Sequence, residues 1–523
     1  MIDGAVARGT SVIRGASVMR GTAVMRGADA IGQGLAPARA ARAIWPGEVI
    51  HVVGAAGAGA SGAALLAWAA GASVSGCDPG APSAYTEALS ARGILIRSSH
   101  DPGHVTGGMT VAPSRVAVTK ALTSIQPDHP ELEAARRAGV PLEPWQQVVA
   151  DAAVSQAGRL VAVTGTHGKS TSAGWLVHLL VACGRDLGAF VGALLPAALT
   201  DGPPATARWG RGDAFVVEAD EYAGNFDPYR PSVAVVLNAE WDHPDVFADR
   251  TAVVDAFIAW LSAPGAAARR VIVNIDDGGG ALVADRLADR GDLLVRVAIG
   301  SPDSGDVRYR STGGRLSISG LPGLGAAVVE AGLRLPGRHN AANAACVASA
   351  AALLGVSAAD IASGLATFGG VGRRFEIKAE PAGVLVIDDY GHHPTAIRAT
   401  LAAVRERYPG RPVWIAHEPL TFHRTAAMTD ELAAVLAAAD HVVIADIWPG
   451  RDPDTSITSA ETIAARVAQL RGDEVAAPGS VEATADLLAA RVRPGDVVLV
   501  MGGGRSYVMA DRLVALLSER DAE

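Results

Sequence analysis

Short apolar runs that end in glycine turns and lead into helical stretches recur along the chain and predict three successive α/β units. The first has an apolar run at Glu48–Val53, a glycine turn at Gly54–Gly62 and a helical run at Ala63–Ala70. A second strand, Ser73–Gly76, stops at Cys77-Asp78. Strand, glycine turn, helix and a strand with an acidic end form the opening of a nucleotide-binding βαβ unit. The second unit begins at Arg159–Val163, turns at Gly165–Gly168 and continues as a helix to about Cys183. Strand-like runs recur there at Ala214–Val217, Val233–Leu237 and Val271–Asn274. The third unit has strands at Val384–Ile387, Val413–Ala416, His441–Ala445 and Val497–Met501. The breaks between units place domains at 45–157, 158–370 and 371–523.

Ahead of these units, RGTSVI, RGASVM, RGTAVM and RGADAI repeat every six residues from Arg8 to Ile31. Four such units are too few to stack into a β-helix that buries a core. Residues 1–44 are therefore read as a flexible extension with no function of its own.

Composition narrows the class. At ~150 residues per domain, a chain of 523 residues suggests about three domains. A net charge of −9 argues against nucleic acid as a general partner. No apolar run approaches the ~20 residues of a membrane span, and Arg8, Arg14, Arg20 and Arg26 interrupt any signal-like start. A cytoplasmic enzyme without membrane insertion is expected. Cys77, Cys183 and Cys346 stand far apart without CxxC spacing, which excludes a disulfide framework and speaks against a zinc cluster.

The strongest motif is Gly165-Thr166-His167-Gly168-Lys169-Ser170-Thr171, a shortened phosphate loop between a strand and a helix. Its glycines let backbone N–H groups turn inward, and the helix N-terminus adds its positive end. Lys169 is expected to neutralise the outer phosphates of ATP, with the Ser170 hydroxyl in a Mg2+ shell. Glu218, Asp220 and Glu221 end an apolar strand, where clustered carboxylates call for a cation. Asp242-His243-Pro244-Asp245 closes the next strand and suits a second metal position or a positioned acid/base. Asn340 and Asn343, about one helical turn apart, suit an adenine edge or ribose; helix capping by Asn340 is the structural alternative. Arg373-Arg374-Phe375-Glu376 offers a guanidinium to a transferring phosphoryl group. Asp388-Asp389-Tyr390-Gly391-His392-His393-Pro394 puts more polar groups at one strand-to-helix turn than packing alone would favour.

Taken in order, the glycine loop, GTHGKST, EADE, DHPD, GRHNAAN, RRFE and DDYGHHP resemble the Mur ligase family over about residues 48–515. The resemblance implies a Rossmann-like N-terminal domain for a UDP-sugar, a central P-loop ATPase and a Rossmann-like C-terminal domain bringing the amino acid. It implies an ATP-dependent carboxylate–amine ligase that joins L-alanine to UDP-N-acetylmuramate through an acyl phosphate. Residue by residue, it places Gly57, Gly59 and Ser61 by the UDP diphosphate, with Asp78 and His100 nearby. Lys169 and Ser170 would serve ATP and magnesium, Glu218 and His243 the metal site, and Asn340 and Asn343 the adenine side. Arg374 and Asp389 would lie near ATP, with Tyr390, His392 and His393 facing the reacting carboxylate and amine. Either histidine could take the proton of the amine.

The chain departs from the family pattern at Ala60, where Met is usual, and at Ser170, where Thr is usual. In Glu418-Pro419-Leu420, leucine replaces the histidine of alanine-adding members, although Arg424-Thr425 keeps their pattern and implies contact with the amino acid. Tyr222 and Trp241 lean instead toward relatives that recycle a murein tripeptide. A non-catalytic nucleotide-binding regulator is a rival class, opposed by the joint presence of Lys169, Glu218, His243 and Arg374. A dinucleotide oxidoreductase would rest on the first glycine loop alone.

Overall fold

Three open sheets follow one another along the chain, each with its apolar strands covered by helices. The computed structural model describes residues 31–107, 111–156, 159–263, 270–300, 305–450, 452 and 454–522. Apart from its last residue, Ile31, the Arg-Gly repeat lies outside the described residues.

The first sheet runs Leu95–Arg97, Ser73–Cys77, Val49–Val53, Arg115–Val118, Leu142–Pro144, all parallel. Its order reverses beside Val49–Val53, and such a reversal opens a ligand crevice at the strands' C-terminal ends. The helix there spans Ala58–Ala69, beginning five residues before the expected Ala63. Gly57 caps it in extended backbone, so half of the expected glycine turn is already helix.

Residues 32–44 are attached to this sheet rather than standing apart as a flexible extension. Ala36 N donates to Leu142 O at 2.7 Å, and Ile44 is buried. The Arg39 guanidinium pairs with Glu143 at 2.8 Å and Asp151 at 2.7 Å. Those carboxylates also face the buried Arg115, so Arg39 completes a charge network that would otherwise be unbalanced in the interior.

The central sheet has ten strands, parallel in the middle and antiparallel at its margins. Arg159–Thr164 lies between Ala214–Glu218 and Val233–Val236, parallel to both. Their sequences, RLVAVT, AFVVE and VAVV, are the near-continuous apolar runs of strands covered on both faces. Helix Arg338–Leu353 is buried from Asn340 to Ala352 and half of its residues are alanine, which lets it pack close on every side.

The third sheet runs Glu376–Ala379, Leu385–Asp389, Val497–Gly502, Val413–Glu418, His441–Ala445, Ala476–Gly479, parallel except for its first edge strand. Asp388 and Asp389 are the last residues of a buried strand, not part of the turn after it. Among the described residues no helix is long and apolar enough to cross a membrane.

Candidate active site

Because three adjacent parallel strands end together, the phosphate loop, the acidic motif and the Asn238–Asp245 segment meet at one edge of the central sheet. Residues of the first and third units close over that edge, enclosing a cleft of about 1050 Å³. Most of the residues singled out in the sequence line it; among those that do not are Gly57, Ser61, Asp78, His100, Gly165, Glu221, Asp245, Arg373 and Asp388.

The phosphate loop is held from behind. Gly168 sits at φ +80 and caps helix Lys169–Ala182, and a Cβ there would lie 2.9 Å from Asn343 Nδ2. Asn238 clasps His167, accepting from its N–H at 2.8 Å and donating to its carbonyl at 3.0 Å. Thr166 exchanges hydrogen bonds with the backbone of Glu240, and His167 Nε2 lies 3.0 Å from the Glu240 carboxylate. Asn340 does not cap through its side-chain oxygen: its amide donates to Pro336 O at 2.8 Å.

Lys169 Nζ lies 2.9 Å from Glu221 and 3.4 Å from Asp220. Burial pulls the lysine pKa down, but these carboxylates outweigh it and hold it above the ordinary value. Burial pushes the Glu221 carboxyl up to about 7. Ser170 Oγ donates to Glu218 Oε1 at 3.0 Å and accepts from Arg374 at 3.0 Å. Hydroxyl and carboxylate oxygens side by side are the hard donors that magnesium takes. His243 belongs to a second group, with Asp220 and Glu221, whose ligand atoms lie within 4.8 Å of one another.

Arg374 reaches Ser170 from the third unit through a strained loop. Arg373 and Phe375 have φ of +59 and +52, uncommon for residues with side chains. Asp389 stabilises this turn by accepting from Phe375 N and Gly391 N, each at 2.8 Å. Its carboxylate is therefore committed to the backbone, and Arg374 stacks over Tyr390, 4.4 Å from the ring centre.

The two histidines of the third unit differ. His393 caps helix Pro394–Arg407: its Nδ1 accepts from Thr395 N, leaving Nε2–H to donate to Trp241 O at 3.2 Å. Both nitrogens are occupied. His392 Nδ1 lies 3.1 Å from Tyr390 O, which can only accept, so the lone pair sits on Nε2, 4.0 Å from Asp242. Burial and the nearby Arg424 guanidinium hold the His392 pKa well below the ordinary value, so the ring is neutral. Arg424 donates from Nε to Asp242 at 2.8 Å and lies 2.9 Å from His243 Nδ1, joining the third unit to the second.

On the first unit the expected contacts are redistributed. Gly59 lines the cleft, and a Cβ on it would lie 2.2 Å from the Trp145 ring, so only glycine fits. Ser61 is buried, its hydroxyl donating to Ala58 O at 3.1 Å. Asp78 accepts from Ala56 N at 3.0 Å and Gly80 N at 2.7 Å, shaping the glycine loop from behind. His100 contacts Cys77 Sγ at 3.2 Å. These three thus stand behind the cleft wall. Trp145 and Asn238 were not among the residues chosen from sequence. Asn238 falls within a recognisable strand-end motif, whereas Trp145 carries no local signal.

Family profiles match this chain in three stretches: the Mur ligase family catalytic domain at residues 49–156, the Mur ligase middle domain at 163–352 and the Mur ligase glutamate ligase domain at 373–504. A UDP-N-acetylmuramate--L-alanine ligase of Kineococcus radiotolerans is 38% identical over 475 residues, covering 90% of this chain and 96% of its own. The solved UDP-N-acetylmuramate-alanine ligase of Thermotoga maritima matches with a TM-score of 0.71 at 23% identity, covering 91% of this chain and 99% of its own. A murein peptide ligase of Psychrobacter arcticus matches with a TM-score of 0.66 at 24% identity, covering 90% and 99%. Both solved proteins share the fold.

Proposed function

Since the chain belongs to the Mur ligase family, we propose that it joins L-alanine to the carboxylate of UDP-N-acetylmuramate at the expense of ATP, in peptidoglycan precursor synthesis in the cytoplasm. The observation that carries this reading is the single cleft in which Lys169, Arg374 and His392 converge from two units while Gly59 and Trp145 of the first unit form its far wall.

In this reading the sugar's carboxylate attacks the γ-phosphorus of ATP, and the bond to the β-phosphate oxygen breaks, giving acyl phosphate and ADP. Lys169 and Arg374 offset the charge on the transferring phosphoryl group, which is electrostatic positioning rather than covalent work. Ser170 and Glu218 would hold magnesium, which when bound offsets phosphate charge. His243, with Asp220 and Glu221, provides a second cation position. Asn340 and Asn343 lie on the cleft wall beside the phosphate loop and are assigned to the adenosine side.

The amine then attacks the acyl carbon, and the tetrahedral intermediate collapses with loss of phosphate. His392 Nε2 is assigned as the proton acceptor because its lone pair is available, whereas His393 is committed to capping. Tyr390 and Arg424 flank the same space and are assigned to the substrate carboxylate and the amino acid. Gly57 and Ser61 serve the UDP side by building the loop, with Asp78 behind it.

The test supplies ATP, magnesium and UDP-N-acetylmuramate with L-alanine, glycine, L-serine or a murein tripeptide in turn. Phosphate release with L-alanine is expected. Release only with the tripeptide would move the protein to the recycling branch, and the absence of release with every acceptor would make it a nucleotide-binding regulator.

A further inference from the structure

A second group of chemistry-bearing side chains lies outside the cleft, beneath the glycine loop of the first sheet. His51 comes from the central strand, Cys77 from the end of its neighbour, His104 from helix Gly103–Thr106 and Glu131 from helix Pro130–Ala138. All four are buried, and their potential ligand atoms lie within 4.8 Å of one another. Tetrahedral zinc with bonds of about 2.0–2.3 Å sets its ligand atoms roughly 3.3–3.8 Å apart, so small side-chain movements complete the shell.

Two features distinguish this group from an ordinary hydrogen-bonded core. His51 is only 2% exposed, and its Nε2 has no hydrogen-bond partner among the described residues. Leaving such a nitrogen unpaired in the interior is costly. Its other nitrogen, Nδ1, lies 2.9 Å from Ser75 Oγ, the kind of outer contact that orients a metal-ligating imidazole. Glu131 gathers the remaining members: Oε2 accepts from the Cys77 thiol at 2.9 Å, and Oε1 lies 2.6 Å from His104 Nδ1 and accepts from Asp101 N at 2.9 Å.

We propose that His51, Cys77, His104 and Glu131 form a binding site for one Zn2+ ion. Nitrogen, sulfur and carboxylate oxygen in a closed four-ligand set favour zinc over magnesium or calcium. On binding, the Cys77 thiol releases its proton to solvent and its sulfur bonds the metal. Thiolate and carboxylate then balance the two positive charges, so no net charge is buried. The Cys77 carbonyl already accepts from Gly54 N at 2.9 Å and Ala55 N at 3.2 Å, so the metal would anchor the glycine loop from below. The sequence offered no zinc spacing because the four ligands come from four separate elements.

The test uses the full-length protein, reduced, stripped with chelator and titrated with Co2+ in excess Mg2+. About one Co2+ per chain should bind, with a thiolate-to-metal charge-transfer band that Zn2+ displaces. Cys77→Ser should abolish the band and Cys183→Ser should keep it. A wild-type protein without the band, or a band that survives Cys77→Ser, would overturn the site. His104→Asn should weaken zinc binding by about 10–100-fold or more, and unchanged affinity would remove His104 from the set. X-ray absorption of the wild-type zinc form needs no variant to fold: one sulfur at about 2.3 Å supports the site, and a shell without sulfur refutes it.

Discussion

Lys169 Nζ and Glu221 Oε2 are 2.9 Å apart, so the lysine of the phosphate loop faces a carboxylate from the neighbouring strand's end. In the proposed function, the phosphates of ATP take over from Glu221 and Asp220 as its counter-charge. Lys169→Ala removes the cation and leaves those acids crowded against any incoming phosphate. Turnover measured by phosphate release should fall by roughly 10³-fold or more. Near-normal turnover would refute the phosphate-loop assignment.

Arg374 acts through a planar group held between Ser170 and Tyr390. Lysine keeps the charge but loses the stack and the fixed fork. Arg374→Lys should therefore lower kcat by about 10²-fold while changing the KM for ATP much less. A raised KM for ATP with kcat unchanged would point to simple nucleotide binding instead.

Much of this site was legible in the sequence because its groups lie at the ends of strands. A phosphate loop, EADE and DHPD each follow an apolar run, and parallel pairing alone brings those ends together. What was not legible depends on tertiary distance. Asp78 and Ser61 carry the right chemistry, but their side chains are committed to loop and helix backbone. Trp145 reaches the cleft from helix Trp145–Gln156, far along the chain from Gly59. The segment around Arg39 looked dispensable because its partners, Glu143 and Asp151, lie more than 100 residues away.

His417 lies fully buried in the strand Val413–Glu418, away from the cleft, and burial pushes its pKa down to about 4. An unfolded histidine titrates near ~6.5. Between these values the unfolded chain holds more protons than the folded one, so stability rises with pH through the window and is lost as pH falls through it. This one group supplies a slope of up to about 1.4 kcal/mol per pH unit. His417→Leu should flatten urea-denaturation stability between pH 6.5 and 5 by about that amount. An unchanged slope would mean that the ring is not neutral in the folded protein.

In the proposed function, Leu420 stands beside the acceptor amino acid. It is buried, lines the cleft with Trp448, Tyr390 and Arg424, and a Cβ on Gly503 would lie 2.8 Å from its Cδ2. Such an apolar wall suits the methyl group of L-alanine. Leu420→Ala removes three carbons from the wall without adding charge. Each methylene in such a pocket discriminates by about 1–3 kcal/mol, so kcat/KM for L-valine relative to L-alanine should rise by roughly 10-fold or more. Leu420→His should instead lower kcat/KM for L-alanine, because a polar ring would displace apolar contact with the methyl group. If acceptor preference is the same in wild type and both variants, the acceptor side chain does not lie against residue 420, and the amino-acid pocket must be sought on the Trp448 side of Arg424.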